Sequence, residues 1–207
     1  MSSTSPDLQP ASGPRPDASG LRFALLLGVG ILLLAVIALS TAQFRQLLGP
    51  SQFAVAHALH AIMAFAFVVV SSVGLYQAWQ LFMGRPRPLA EVRLVTYAIV
   101  AFSLFTIAFG NWLYVGYRAK AADSPKSVFL ATMPDIHNIF FDFKEHTALF
   151  CLPLAIIAAF TLWRYGQQAL DRPVLRYAVA SMIVLNFVYF VIAFGLGAAI
   201  TKLHGVN

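Results

Sequence analysis

Asp142-Phe143-Lys144-Glu145-His146 stands directly against the apolar run that begins at Thr147, so four ionisable residues in five positions sit on the threshold of a membrane-length segment. In a helix that starts a turn early, Asp142, Glu145 and His146 are spaced i, i+3 and i+4 and share one face. A carboxylate or imidazole at the edge of hydrocarbon is costly without a partner, and such groups are functional-site candidates by default. The fold and the candidate site both follow from what these residues meet.

Composition settles the class. Of the 207 residues, 59% are hydrophobic and only 11% are charged, whereas a soluble domain carries about a quarter charged residues. Mean hydropathy is +0.76. That much apolar surface exceeds what one small core can hold, so the chain reads as an all-α integral membrane bundle. The net charge of +6 could point to nucleic acid, but the basic residues are scattered between apolar segments and act as topology signals. The partner implied is a lipid bilayer, with no nucleic acid. The single cysteine, Cys151, excludes an internal disulfide framework. It also excludes covalent c-type haem attachment, which takes two cysteines.

Working outward, residues 1–20 are rich in Ser, Pro, Asp and Gly and are expected to form a disordered cytoplasmic tail. Five transmembrane spans follow, at about 21–43, 52–83, 91–117, 140–165 and 173–199. The first has a competing reading as a cleaved signal peptide, since Leu39-Ser40-Thr41-Ala42 offers small residues. Its length and the weakly basic tail favour an anchor. Arg85-Pro86-Arg87-Pro88 and Asp171-Arg172-Pro173 punctuate the later spans, and Pro153 is expected to kink the fourth. The segment 118–139 is the long loop, expected to lie along the interface.

Basic residues orient the five spans. The short loops after the second and fourth spans hold Arg85, Arg87, Arg93, Arg164, Arg172 and Arg176, against Arg45 alone after the first. The positive-inside rule then orients the chain, expected in a bacterial inner membrane, with its N-terminus cytoplasmic and its C-terminus outside. All five histidines fall on the outer side. His137 and His204 read as solvated or interfacial. His57 and His60 lie within an otherwise apolar helix, in one stripe with Ala64, Ser71 and Gly74. Thr96, Ser103, Thr106, Gly110, Tyr114 and Tyr117 form a comparable stripe on the next helix. Small and hydroxyl residues mark packed rather than lipid-facing surfaces, so both histidines should point into the bundle.

Three readings of that cluster compete. A b-type haem clamped by His60 and His146, with His57 as a further cofactor-binding contact, would make the chain an electron-transfer module. A metal ion, zinc, iron or manganese, could be held by His57, His60, Glu145 and His146, with Asp142. Alternatively the cluster is a structural network and the chain a non-catalytic accessory subunit beside other membrane or redox subunits. In each case Arg118 and Lys144 are expected to pair with Asp142 or Glu145.

Gly110-Asn111-Trp112-Leu113-Tyr114, then Tyr117-Arg118, then Phe141-Asp142-Phe143-Lys144-Glu145-His146 resembles a G-N-x-x-Y-x-x-Y-R … F-D-x-K-E-H pattern of bacterial polytopic membrane proteins that carry no assigned activity. The resemblance covers about 40 residues. It implies that the end of the third span and the start of the fourth act as one unit.

Overall fold

The computed structural model describes residues 51–120, 122 and 124–203, with Gln52 and Phe53 described by their backbone only. The expected tail 1–20, the expected first span 21–43 and His204 lie outside the described residues.

Four long helices dominate: α1 (Gln52–Phe82), α2 (Leu89–Tyr117), α4 (Asp142–Tyr165) and α6 (Pro173–Leu203). Two short helices, α3 (Pro125–Thr132) and α5 (Gln168–Asp171), lie in the connections. Each long helix starts or stops where its sequence dictates. The Ser51 hydroxyl caps α1 by accepting from the Ala54 amide at 3.1 Å, which satisfies one of the unpaired first-turn donors. Gly84 and Gly166 take φ of 69° and 56° in the two tight reversals that follow α1 and α4, a region open to glycine at little steric cost. Pro173 opens α6, where its missing amide hydrogen costs nothing.

Four helices are long and apolar enough to cross a bilayer. This is therefore a helical membrane protein, with four candidate spans among the described residues. At about 1.5 Å per residue the 31 residues of α1 and of α6 reach about 45 Å each, well beyond a hydrocarbon thickness of about 30 Å. The outward faces of the long helices are apolar and exposed among the described residues. Ile62, Phe65, Val69 and Val73 on α1 are exposed, as are Leu149, Phe150, Ile156 and Phe160 on α4.

α1 packs on α2 and α6, and α4 packs on α2 and α6, so the four helices form a closed ring. Both hairpin turns lie at one end, with Arg85, Arg87, Arg164 and Arg172; we call it the arginine end. The other, the histidine end, carries the start of α1, the end of α2, the start of α4 and the end of α6. The packed stripes expected on α1 and α2 are present: Ala64, Ser71, Gly74, Thr96 and Ser103 are all buried. A Cβ at Gly74 would stand 2.6 Å from Ile99 Cδ1, so the missing side chain is what lets α1 approach α2. Mid-bundle, Asn186 Nδ2 of α6 donates to the Cys151 carbonyl of α4 at 2.6 Å, a polar tie of the kind membrane helices use. At the arginine end the Arg93 guanidinium donates to the Leu162 carbonyl at 2.9 Å and so caps the end of α4.

The expected loop at 118–139 proves to be largely helical. Ser124 caps α3 through the Ser127 amide, with Pro125 at the first position. A π-helical turn, Ile136–Phe141, then runs straight into α4. The fourth span is thereby lengthened to Ile136–Tyr165. α4 passes through Pro153 without interruption.

Candidate functional site

The helical phase of α4 is set by its buried stripe. Thr147, Cys151, Ala155, Ala158 and Leu162 are buried, at steps of three and four that keep one face toward the ring centre. Extended back by one more step, that stripe reaches Lys144 and then Phe141. Lys144 accordingly turns into the bundle. A Cβ at Gly197 of α6 would lie 3.2 Å from its Cε, and its ammonium stands over the Phe141 ring at 5.1 Å. Two residues on, and therefore about 200° round the helix, His146 falls on the opposite stripe with Phe143, Leu149, Phe150, Ile156 and Phe160, all exposed. The His146 Nδ1 donates to the Asp142 carbonyl of its own helix at 2.7 Å.

His60 comes from the facing helix. Its Nδ1 lies 3.0 Å from the Thr106 carbonyl of α2. A carbonyl only accepts, so Nδ1 carries the proton and Nε2 is left as the basic nitrogen. Gly110, one turn further along α2, makes room for the ring: a Cβ there would lie 3.1 Å from Cε1 and 3.2 Å from Nδ1. The Lys144 ammonium and His57 both lie within electrostatic reach of this imidazole. His57 is half-buried, one turn nearer the helix start.

Around this pair the end of α2 and the π turn form a second layer. The Tyr114 hydroxyl lies within electrostatic reach of the Glu145 carboxylate, which also lies within electrostatic reach of Lys144 and Arg118. The Arg118 guanidinium lies over the Tyr114 ring at 5.0 Å. Tyr117 and Phe141 stack face to face, with ring centroids 4.2 Å apart and planes 2° from parallel. The Tyr117 hydroxyl shares a hydrogen bond of 3.0 Å with His137 Nδ1. His137 is 7% exposed, so a solvated histidine, one of the two expectations for it, is corrected. The wide π turn rotates His137 and Phe141 together onto the tyrosines.

The residues singled out from sequence are thus divided. Lys144 lies within electrostatic reach of His60 on one side and Glu145 on the other, with His57 near His60 and with Tyr114, Asp142 and Arg118 near Glu145. His146 stands apart on the outward face. A bis-imidazole haem clamp needs two ring nitrogens about 4 Å apart, twice an iron- or zinc-type bond of about 2.0 Å. With His146 turned outward and bonded to its own backbone, the residues as placed do not make that clamp. Among the described residues, no three His, Cys, Asp or Glu side chains gather where they could hold one metal ion. Lys144 as an inward residue, the Gly110 and Gly197 recesses, and the Tyr117–His137 pair were missed from sequence. The α4 stripe, read backward from Leu162, was the signal that could have found Lys144.

No protein-family model, curated protein or solved structure matches this chain.

Proposed function

We propose that His60, Lys144, Glu145 and Tyr114 form a one-sided acid–base site, opening on the membrane face at the histidine end and taking up and releasing a proton inside the bundle. One observation carries this reading: an imidazole bonded to the Thr106 carbonyl with its basic nitrogen left over, within electrostatic reach of an ammonium on the buried stripe of the helix across the ring. Intramembrane ionisable groups are costly, and their partners usually define what they do. Here Lys144 is the donor, His60 the acceptor, and Glu145 with Tyr114 the link toward the aqueous side. His60 ends the path, because the Thr106 carbonyl beyond it cannot carry a proton further. Proton passage across the whole bundle is therefore disfavoured.

Nitrogen NMR of histidine-labelled protein tests this directly. The His60 signal, identified by its loss in His60→Gln, should report the Nδ1–H tautomer. It should titrate and should shift in Lys144→Met, while His146→Gln leaves it in place. A His60 ring in the other tautomer, or one indifferent to Lys144, would remove the proposal.

A single-ligand b-type haem on His60 is the second reading. A ring nitrogen bonded to a backbone carbonyl is how ligating imidazoles are commonly oriented, and Gly110 adds no bulk beside the ring. A Soret band in the purified protein, lost in His60→Gln, would favour it over the acid–base site.

We further place the arginine end in the cytoplasm of a bacterial inner-membrane protein, because Arg85, Arg87, Arg93, Arg164, Arg172 and Arg176 all lie at or beside its hairpins. A crossing by residues 21–43 would then put the N-terminus inside and the C-terminus outside. Reporter fusions are expected to read cytoplasmic at Pro88 and external at Lys126. The reverse pattern would turn the site to the cytoplasm.

A further inference from the structure

At the opposite end from the acid–base site, α1 and α6 leave a groove of about 560 Å³ lined by Ser72, Leu75, Tyr76, Trp79, Phe82 and Val184. Its chemistry is apolar. The Ser72 hydroxyl donates to the Val68 carbonyl of its own helix at 2.8 Å, and so offers the groove no polar atom in need of a partner. From Ser72 to Phe82 the groove runs ten residues along α1, about 15 Å at 1.5 Å per residue. That is half of a hydrocarbon thickness of about 30 Å, or one leaflet.

Cations flank the end of the groove nearest the Gly84 turn. The Arg87 guanidinium lies 5.9 Å from the Tyr76 ring centroid and within electrostatic reach of the Tyr76 hydroxyl, which sets it beside the groove. On the α6 side, Arg176 lies over the Tyr177 ring at 5.3 Å, and Tyr177 stacks on Phe82 at 5.9 Å. Arg176 is partly committed, since its Nη1 donates to the Leu170 carbonyl at 3.2 Å. Its Nε is buried and faces the protein, which leaves Nη2, 3.5 Å from the position of a Cβ at Gly84, as the nitrogen toward the turn. Glu91 is the acid within electrostatic reach of Arg87, and Asp171 lies in the neighbouring turn.

A leaflet-length apolar groove with two guanidiniums beside lining residues or their stacking partners matches one amphiphile. We propose that it seats an anionic phospholipid, one acyl chain along Ser72 to Phe82 and the headgroup phosphate between Arg87 and Arg176. Charge complementarity selects the lipid. A helix of this chain or a second copy would fill the groove but would have no reason to prefer an acidic headgroup. Basic pockets between transmembrane helices bind acidic headgroups in the same way.

Native mass spectrometry of the full chain, offered equal phosphatidylglycerol and phosphatidylcholine, tests the site. The expected result is a retained phosphatidylglycerol adduct in excess over phosphatidylcholine. Arg87→Gln should weaken it about fivefold, the contribution of one arginine near an anionic surface. Ser72→Trp, at an exposed position that should leave folding intact, should abolish it by filling the chain seat. Equal retention of both lipids, or an adduct that survives both substitutions, would overturn the proposal. So would a Ser72→Cys chain that oxidises to a disulfide-linked dimer, which would give the groove to a second copy.

Discussion

Gly74→Leu is expected to destabilise the bundle by about 3 kcal/mol, at the upper end of what overpacking a tight core costs. Gly74 sits where α1, α2 and α6 meet. A Cβ there would approach Ile99 Cδ1 to 2.6 Å and Ile183 Cγ2 to 3.3 Å. Ile99 Cδ1 ends a flexible side chain, whereas Ile183 Cγ2 is a branch methyl held at Cβ; Ile99 is 1% exposed and Ile183 3%, so neither has room to retreat. Three further carbons would force α1 away from both neighbours at once. Glycine's poor helix propensity, about 1 kcal/mol, offsets only part of that cost. Thermal or denaturant unfolding in micelles, followed by far-ultraviolet circular dichroism, gives the comparison. Val73→Leu, one position earlier and exposed on the outward face, should match the native chain. If Gly74→Leu also matched it, the helix packing described for α1, α2 and α6 would be wrong.

Gly110→Leu should remove the acid–base site as completely as His60→Gln while leaving the helices assembled. The new side chain would occupy the space of the imidazole, whose Cε1 and Nδ1 stand 3.1 and 3.2 Å from the position of the added Cβ. The ring would have to leave the Thr106 carbonyl, and a polar group stranded in the bundle loses about 1–3 kcal/mol. α2 itself should tolerate the change, because Gly110 lies within a regular helix and has no positive φ. The readout is the His60 nitrogen signal, which should lose its Nδ1–H tautomer. Asn111→Leu, at an exposed neighbouring position, is the control and should leave that signal unmoved. A native-like His60 signal in Gly110→Leu would mean that the ring does not lie against α2, and the site would have to be redrawn.

Membrane residence and helical class were legible in the sequence because they depend on quantities that need no tertiary contact. A run of apolar residues has a length, and 59% hydrophobic residues cannot be hidden in a core of this size. The helix limits were legible for a similar reason. Ser51, Gly84, Gly166 and Pro173 act through local backbone chemistry, so the described helices begin and end within a few residues of where sequence places them. The packed stripes of α1 and α2 were also readable, since Ser71, Gly74, Thr96 and Ser103 are small or hydroxylated and recur at helical spacing. His60 was placed in the bundle on that basis.

The rotation of α4 about its own axis was decided only by packing. Sequence offers two faces at its start, one with Asp142, Glu145 and His146 and one with Phe141 and Lys144, and charge alone favours the first. Burial chose the second, because Cys151, Ala155, Ala158 and Leu162 must meet α2 and α6, and the helix carries Lys144 round with them. One residue step is about 100°, so that choice turned His146 to the outside and gave His60 an ammonium for a neighbour. The π turn that buries His137 against Tyr117 was equally closed to sequence reading. Its extra width has no composition of its own and arises from the fit of Tyr114, Tyr117 and Phe141 in one stack, a contact between residues more than twenty positions apart.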